Sequence, residues 1–163
     1  MPKQDFNINT RDLVLGQIYG IHYAAKVVDS WELEGTATVE FAEPVVRVAN
    51  KERACQSAGG VNAAFAIAGF AVRQTNREQN VRAGDGTVSY KIGDTVPVMR
   101  FGCMQAKAGA ATTMGGKVYF NPTTKAFYST DDSGAAFEAT NAVFDSIAAA
   151  AGDVVRVRIL TMA

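Results

Sequence analysis

The strongest constraint on this chain is its division into short β-favouring runs separated by glycine, proline and aspartate. The closing run, VVRVRILTM at residues 154–162, sets Val155, Val157 and Ile159 on one face and Arg156 and Arg158 on the other. That period-two alternation specifies a strand with one buried face. Residues 117–130, KVYFNPTTKAFYST, read as a hairpin: Val118, Tyr119 and Phe120 oppose Ala126, Phe127 and Tyr128 across a loop running from Asn121 to Lys125. Residues 37–48, ATVEFAEPVVRV, alternate again but meet Pro44 midway. Proline has no N–H for a sheet ladder, so Pro44 predicts an edge, a bulge or a break between two short strands.

Other stretches are less sharply specified. Within VSYKIGDTVPVMRFG, Gly93 and Asp94 form the expected turn between Tyr90/Ile92 and Val96/Val98. The segment VNAAFAIAGFAV at 61–72 favours a strand, although its alanine content also tolerates a helix. Residues 73–87 are polar and predict a long exposed loop with a turn at Asp85–Gly86. Lys51 to Ala54 predict a short helix or turn, and Asp131 to Gly134 a turn. Residues 143–151 predict a strand end followed by an alanine-rich linker or one helical turn. Together these features predict a mainly β single domain, a β-sandwich or barrel-like fold with short helical turns, over residues 16–163. Residues 1–15 predict a candidate extended N-terminal arm.

Composition narrows the function classes. A hydrophobic share of 48% with 20% charged residues is too apolar for a disordered chain. Sixteen basic and sixteen acidic side chains cancel, so no global field gathers a polyanion, and nucleic acid is not expected as a partner. The basic group Arg73, Arg77 and Arg82 is interleaved with Glu78 and Asp85 and reads as a solvated loop. The first twenty residues lack the apolar core of a signal peptide. The most apolar stretch, about twelve residues, is short of the roughly twenty that span a bilayer, so no membrane partner is expected.

Catalytic chemistry finds little material. His22 is the sole histidine, between apolar and aromatic neighbours, and reads as a packing residue. The sequence has no GxSxG elbow, HExxH helix or phosphate-binding loop. Glu32, Glu34, Glu40 and Glu43 read as the wet face of strands rather than as a paired acid and base. Asp131 and Asp132 lack the remaining oxygen ligands of a calcium loop. Cys55 and Cys103 lie far apart without metal or redox spacing. Buried free thiols are the default expectation, with a disulfide as the alternative in an oxidising medium. Trp31 with Tyr19 and Tyr23 offers a carbohydrate platform, against the commoner reading of aromatic core.

The segment order then resembles a known family. GFAVRQTNREQN is followed by a DGT turn, YKIGDTVPVMRFGCMQAKAG, GGKVYFNPTTKAFYST and the terminal AVFDSIAAAAGDVVRVRIL. This succession, over roughly residues 65 to 160, is similar to tailed-bacteriophage capsid decoration proteins, also called structural cement proteins. The resemblance implies a non-enzymatic, β-rich protein without a cofactor. It implies binding to the outer surface of the shell of major capsid protein in the virion, commonly as a homotrimer, by a protein made in the host cytoplasm. Within that reading Phe6, Ile8 and Leu13 are candidate contacts to capsid or to a neighbouring subunit, anchoring an arm whose backbone extends a neighbour's sheet. The alternatives are another virion role, in the tail tube or head completion, and a carbohydrate-binding protein.

Overall fold

A computed structural model describes residues 15–16, 18–19, 28–60, 63–74 and 88–161. Thirteen strands are seen among them, with two short 3-10 turns at Ala58–Gly60 and Asp132–Gly134. The protein is therefore mainly β, and the choice between sandwich and barrel resolves toward a barrel.

Five strands close that barrel in the order β2 (Val28–Leu33), β5 (Ala54–Ser57), β4 (Pro44–Arg47), β6 (Gly69–Ala71) and β8 (Thr95–Met99). The β2–β5 pair is parallel and the others are antiparallel. Trp31, Leu33, Val45, Cys55, Val96 and Val98 fill its interior. Gly69 makes closure possible, because a Cβ there would lie 2.3 Å from Val98 Cγ1 and 2.7 Å from the Met99 carbonyl oxygen. A small two-stranded sheet, β3 (Val39–Glu40) with β7 (Ser89–Tyr90), stands beside the barrel. The break expected at Pro44 is there: β3 ends at Glu40, Ala42 turns through φ 68°, and Pro44 takes the first position of β4.

A six-stranded sheet follows the order β1 (Ile18–Tyr19), β9 (Gly102–Lys107), β13 (Val154–Ile159), β12 (Phe137–Phe144), β10 (Lys117–Asn121) and β11 (Ala126–Tyr128). It curls back on itself, since Ala108, just past β9, bridges Phe127 of β11 and the Gly109 N–H donates to the Phe127 carbonyl at 2.8 Å. The terminal strand behaves as its alternation requires: Val155, Val157 and Ile159 are buried, Arg156 is half-buried and Arg158 exposed. The hairpin has the expected register, Tyr119 opposite Tyr128 and Phe120 opposite Phe127. Asn121 Oδ1 accepts hydrogen bonds from the N–H groups of Thr123 and Thr124, which folds the loop locally.

The main core lies between the two bodies. Phe70 and Met99 from the barrel meet Met104, Phe120, Phe127 and Val157 of the curled sheet, with Phe70 and Phe127 edge to face at 6.0 Å between centroids. Burying such side chains contributes roughly 1.5–3 kcal/mol each. Asn141 of β12 fastens the same junction through its buried amide. It accepts from Ile67 N–H at 2.7 Å and donates to the carbonyls of Ile67 at 2.9 Å and Thr161 at 2.8 Å.

One expectation is revised, and two that were left as alternatives resolve. Among its described residues, 63–72, the segment is strand only over Gly69–Ala71; before that it runs alongside β12, where Phe65 bridges Ala139. Alanine offers too little side chain to hold a longer ladder, and the neighbours decide the path. Of the helix or turn expected at Lys51 to Ala54, the turn is found, leading into β5 at Ala54. Residues 143–151 form the expected end of a strand, β12, followed by an alanine-rich linker without a helical turn, where Asp153 accepts from the N–H groups of Ala149 and Ala150. The candidate arm over 1–15, apart from Leu15, and the loop over 75–87 lie outside the described residues.

Candidate interaction surfaces

The aromatic platform does not form at Trp31. Its ring is 2% exposed and lies inside the barrel, with the guanidinium of Arg47 4.9 Å and that of Arg100 5.7 Å from its centroid. A sugar cannot stack on a face already covered. Tyr19 belongs to β1, while Tyr23 and His22 lie outside the described residues.

The two thiols are free and buried. Burial, with the Glu34 carboxylate as a smaller contributor, pushes the Cys55 thiol up to about 12. Burial is also the first cause raising Cys103, which donates to Asp145 Oδ2 at 3.2 Å and accepts from Arg158 Nε at 3.4 Å. Both remain protonated at neutral pH and are poor nucleophiles. Asp145 is further occupied by Arg158 Nη2 at 2.6 Å.

Among the four glutamates expected on wet strand faces, Glu43 is a correction: it is 2% exposed. Its Oε1 accepts from Ser57 Oγ at 2.5 Å and from Lys125 Nζ at 2.7 Å, and its Oε2 from the Glu40 N–H at 2.9 Å. The alternation around Glu43 carries no sign of this, because Ser57 and Lys125 lie elsewhere in the chain. Glu32 is exposed, and Glu34 pairs with Lys51 at 2.6 Å on the surface. Asp131 and Asp132 form the expected turn, where Asp132 Oδ2 accepts from Asn121 Nδ2 at 2.8 Å.

What the surface does offer is apolar. Phe101 and Leu160, 39% and 50% exposed, flank the last pairing of β9 with β13, Gly102 with Ile159. Toward the other end of the curled sheet, Met114 and Ile147 are 70% and 73% exposed on loops joined by the Thr112–Ala148 bridge. Exposed Ala111, Ala149, Ala150 and Ala151 lie on those same loops. Isolated exposed apolar residues are ordinary, but large ones on neighbouring loops suit contact with another protein. The sequence reading missed these positions, since their exposure depends on how loops from separate strands meet.

Of the contacts expected from sequence, Phe6, Ile8 and Leu13 lie outside the described residues. The chain just after them is firmly held at Gly16, whose N–H donates to the Gln105 carbonyl and whose own carbonyl accepts from the Arg73 N–H, both at 2.9 Å. Gly16 thus joins the curled sheet to the segment leaving the barrel. Its φ of 74° and a would-be Cβ contact of 2.8 Å with Phe41 Cβ explain the glycine.

No curated protein matches the chain. A chain from the solved capsid of Myoviridae phage XM1 is similar in fold, with a TM-score of 0.63 at 21% identity. The alignment covers 93% of this chain and 92% of that one. A family model described as structural cement protein (E217 gp24/Pam3 gp6) matches residues 1–160, so the likeness extends through the N-terminal third as well. By that match over nearly its whole length, the chain belongs to the structural cement protein family of phage capsids.

Proposed function

We propose that this protein binds the outer surface of the major capsid protein shell and stabilises the mature head. The observation that carries this reading is the cement-family match over residues 1–160. The physical logic is linkage: a ligand that binds the expanded shell and not its precursor stabilises the expanded state by RT ln(1 + [L]/Kd). Packed DNA loads the shell outward, and a protein bridging several subunits adds contact area that must be lost before they separate. Exposed Phe101, Leu160, Met114 and Ile147 supply apolar surface for such contacts. The reading includes self-association as a homotrimer, synthesis in the host cytoplasm, residues 16–163 as the capsid-binding domain and residues 1–15 as an arm carrying Phe6, Ile8 and Leu13 to a neighbour.

The test is reconstitution. Purified protein is added to expanded heads lacking it and to unexpanded precursor heads, and bound protein and thermal rupture are measured. Saturable binding to expanded heads with a raised rupture temperature is expected. Binding to neither form, or equal binding to both, contradicts the proposal.

A further inference from the structure

Glu43 is the charged residue buried in the core of the described structure, and its partners come from both bodies: Ser57 ends barrel strand β5, whereas Lys125 lies at the tip of the β10–β11 hairpin of the curled sheet. Two clefts flank this contact. One, about 240 Å³, is lined by Phe41, Glu43, Lys107 and Phe127; the other, about 520 Å³, by Glu34, Gln56, Ser57 and Pro122. Thr123 and Lys125 line both. The hydrogen bonds from Ser57 through Glu43 to Lys125 therefore lie between them, together with Thr123.

We infer that the hairpin tip is a strap, latched across the seam between barrel and curled sheet by the Lys125–Glu43 pair, and that release of this one pair joins the two clefts into a single groove. Three observations support a latch over an incidental surface pair. The Glu43 side chain is 1% exposed and that of Lys125 26%, so the carboxylate is desolvated and bound to its partner. Such a pair fixes one arrangement more than it adds stability, because desolvation offsets much of the attraction. Both residues sit at backbone irregularities: Lys125 has φ 53°, and Ala42, just before Glu43, has φ 68°. Left-handed conformations of this kind in non-glycine residues persist where surrounding contacts enforce them, and they concentrate in switch segments. Finally, the tip lies close against the barrel side at Pro122, whose Cβ is 3.5 Å from a Cβ built on Gly59, while its hydrogen bonds to that side pass through Lys125. The tip's other hydrogen bonds run within its own hairpin, from the N–H groups of Thr123 and Thr124 to Asn121 Oδ1 and between the Thr124 and Tyr128 hydroxyls at 3.3 Å.

Hydrogen exchange with Lys125→Met tests the inference. This variant leaves Glu43 bonded to Ser57 and Glu40, so the amides of Glu40 and Gly59 keep their acceptors, Glu43 Oε2 and Ser57 Oγ. A lifting strap lets water reach them, and their exchange is expected to accelerate by on the order of tenfold while β13 stays protected. Gly59→Cys with Pro122→Cys, at a separation suited to a disulfide, ties the strap down and is expected to restore slow exchange in the Lys125→Met background. Unchanged exchange at Glu40 and Gly59, acceleration spread equally over β13, or failure of the tether to restore protection would each overturn the strap.

Discussion

Replacing Gly69 by alanine adds one methyl group at the point where β6 and β8 close the barrel. Gly69 has no positive φ, so the cost comes from space alone. The new carbon would sit 2.3 Å from Val98 Cγ1 and 2.7 Å from the Met99 carbonyl oxygen. Val98 is fully buried in the barrel core and has nowhere to turn. The Met99 backbone is held by its pairing with Phe70 and Val28. Relief therefore requires separating two paired strands. Overpacking of this kind costs about 1–3 kcal/mol, and a rigid backbone contact places this site at or above the top of that range. For a chain of this length, about 3 kcal/mol corresponds to a fall in Tm of roughly 6–12 °C. Gly60→Ala is the internal control, because no atom lies within 4 Å of its would-be Cβ and its φ is not positive. It is expected to be neutral or to stabilise by about 0.4–1 kcal/mol. Calorimetry of both variants decides the matter, and a Gly69→Ala protein melting within a degree of the parent would refute the closure argument.

Further outcomes follow from the same structure. Gly109→Ala places a carbon 2.1 Å from the Tyr128 ring, so it is expected to destabilise by about 2 kcal/mol, and Tyr128→Ala is expected to relieve much of that cost in a double-mutant cycle. Asn141→Ala leaves the Ile67 N–H and carbonyl without their partner across the core and is expected to lower denaturant-measured stability by roughly 2–4 kcal/mol. Cys55 is expected to resist alkylation at neutral pH until the barrel unfolds. Since its folded pKa of about 12 lies above that of an unfolded thiol, its contribution to stability is complete below about pH 8.5 and is lost as pH rises toward 12. A pH titration of stability in the parent and in Cys55→Ala checks the sign.

The parts of this fold that were legible in sequence are those whose signals are local. Strand β13 carries its own alternation, the β10–β11 hairpin its facing aromatics and Asn-Pro loop, and Pro44 and Gly93–Asp94 their own punctuation. What was illegible depends on distant partners. Strand β12, FEATNAVF, mixes alanine, threonine and asparagine, and its pairing with β10 shifts register between Lys117 and Val118, which breaks any clean period of two. The parallel pairing of β2 with β5 and the return of Ala108 to β11 are topological and leave no mark on neighbouring residues. Glu43 looked like surface because its partners are distant in the chain, Ser57 14 and Lys125 82 positions away. The exposed pairs Phe101/Leu160 and Met114/Ile147 likewise exist only once loops are assembled.

The most direct test of the central claim is to count this protein in purified virions by quantitative mass spectrometry against the major capsid protein. A cement covering the shell is expected near a one-to-one ratio. A few copies per particle would transfer the protein to a tail or head-completion role, and its absence from virions would contradict the account.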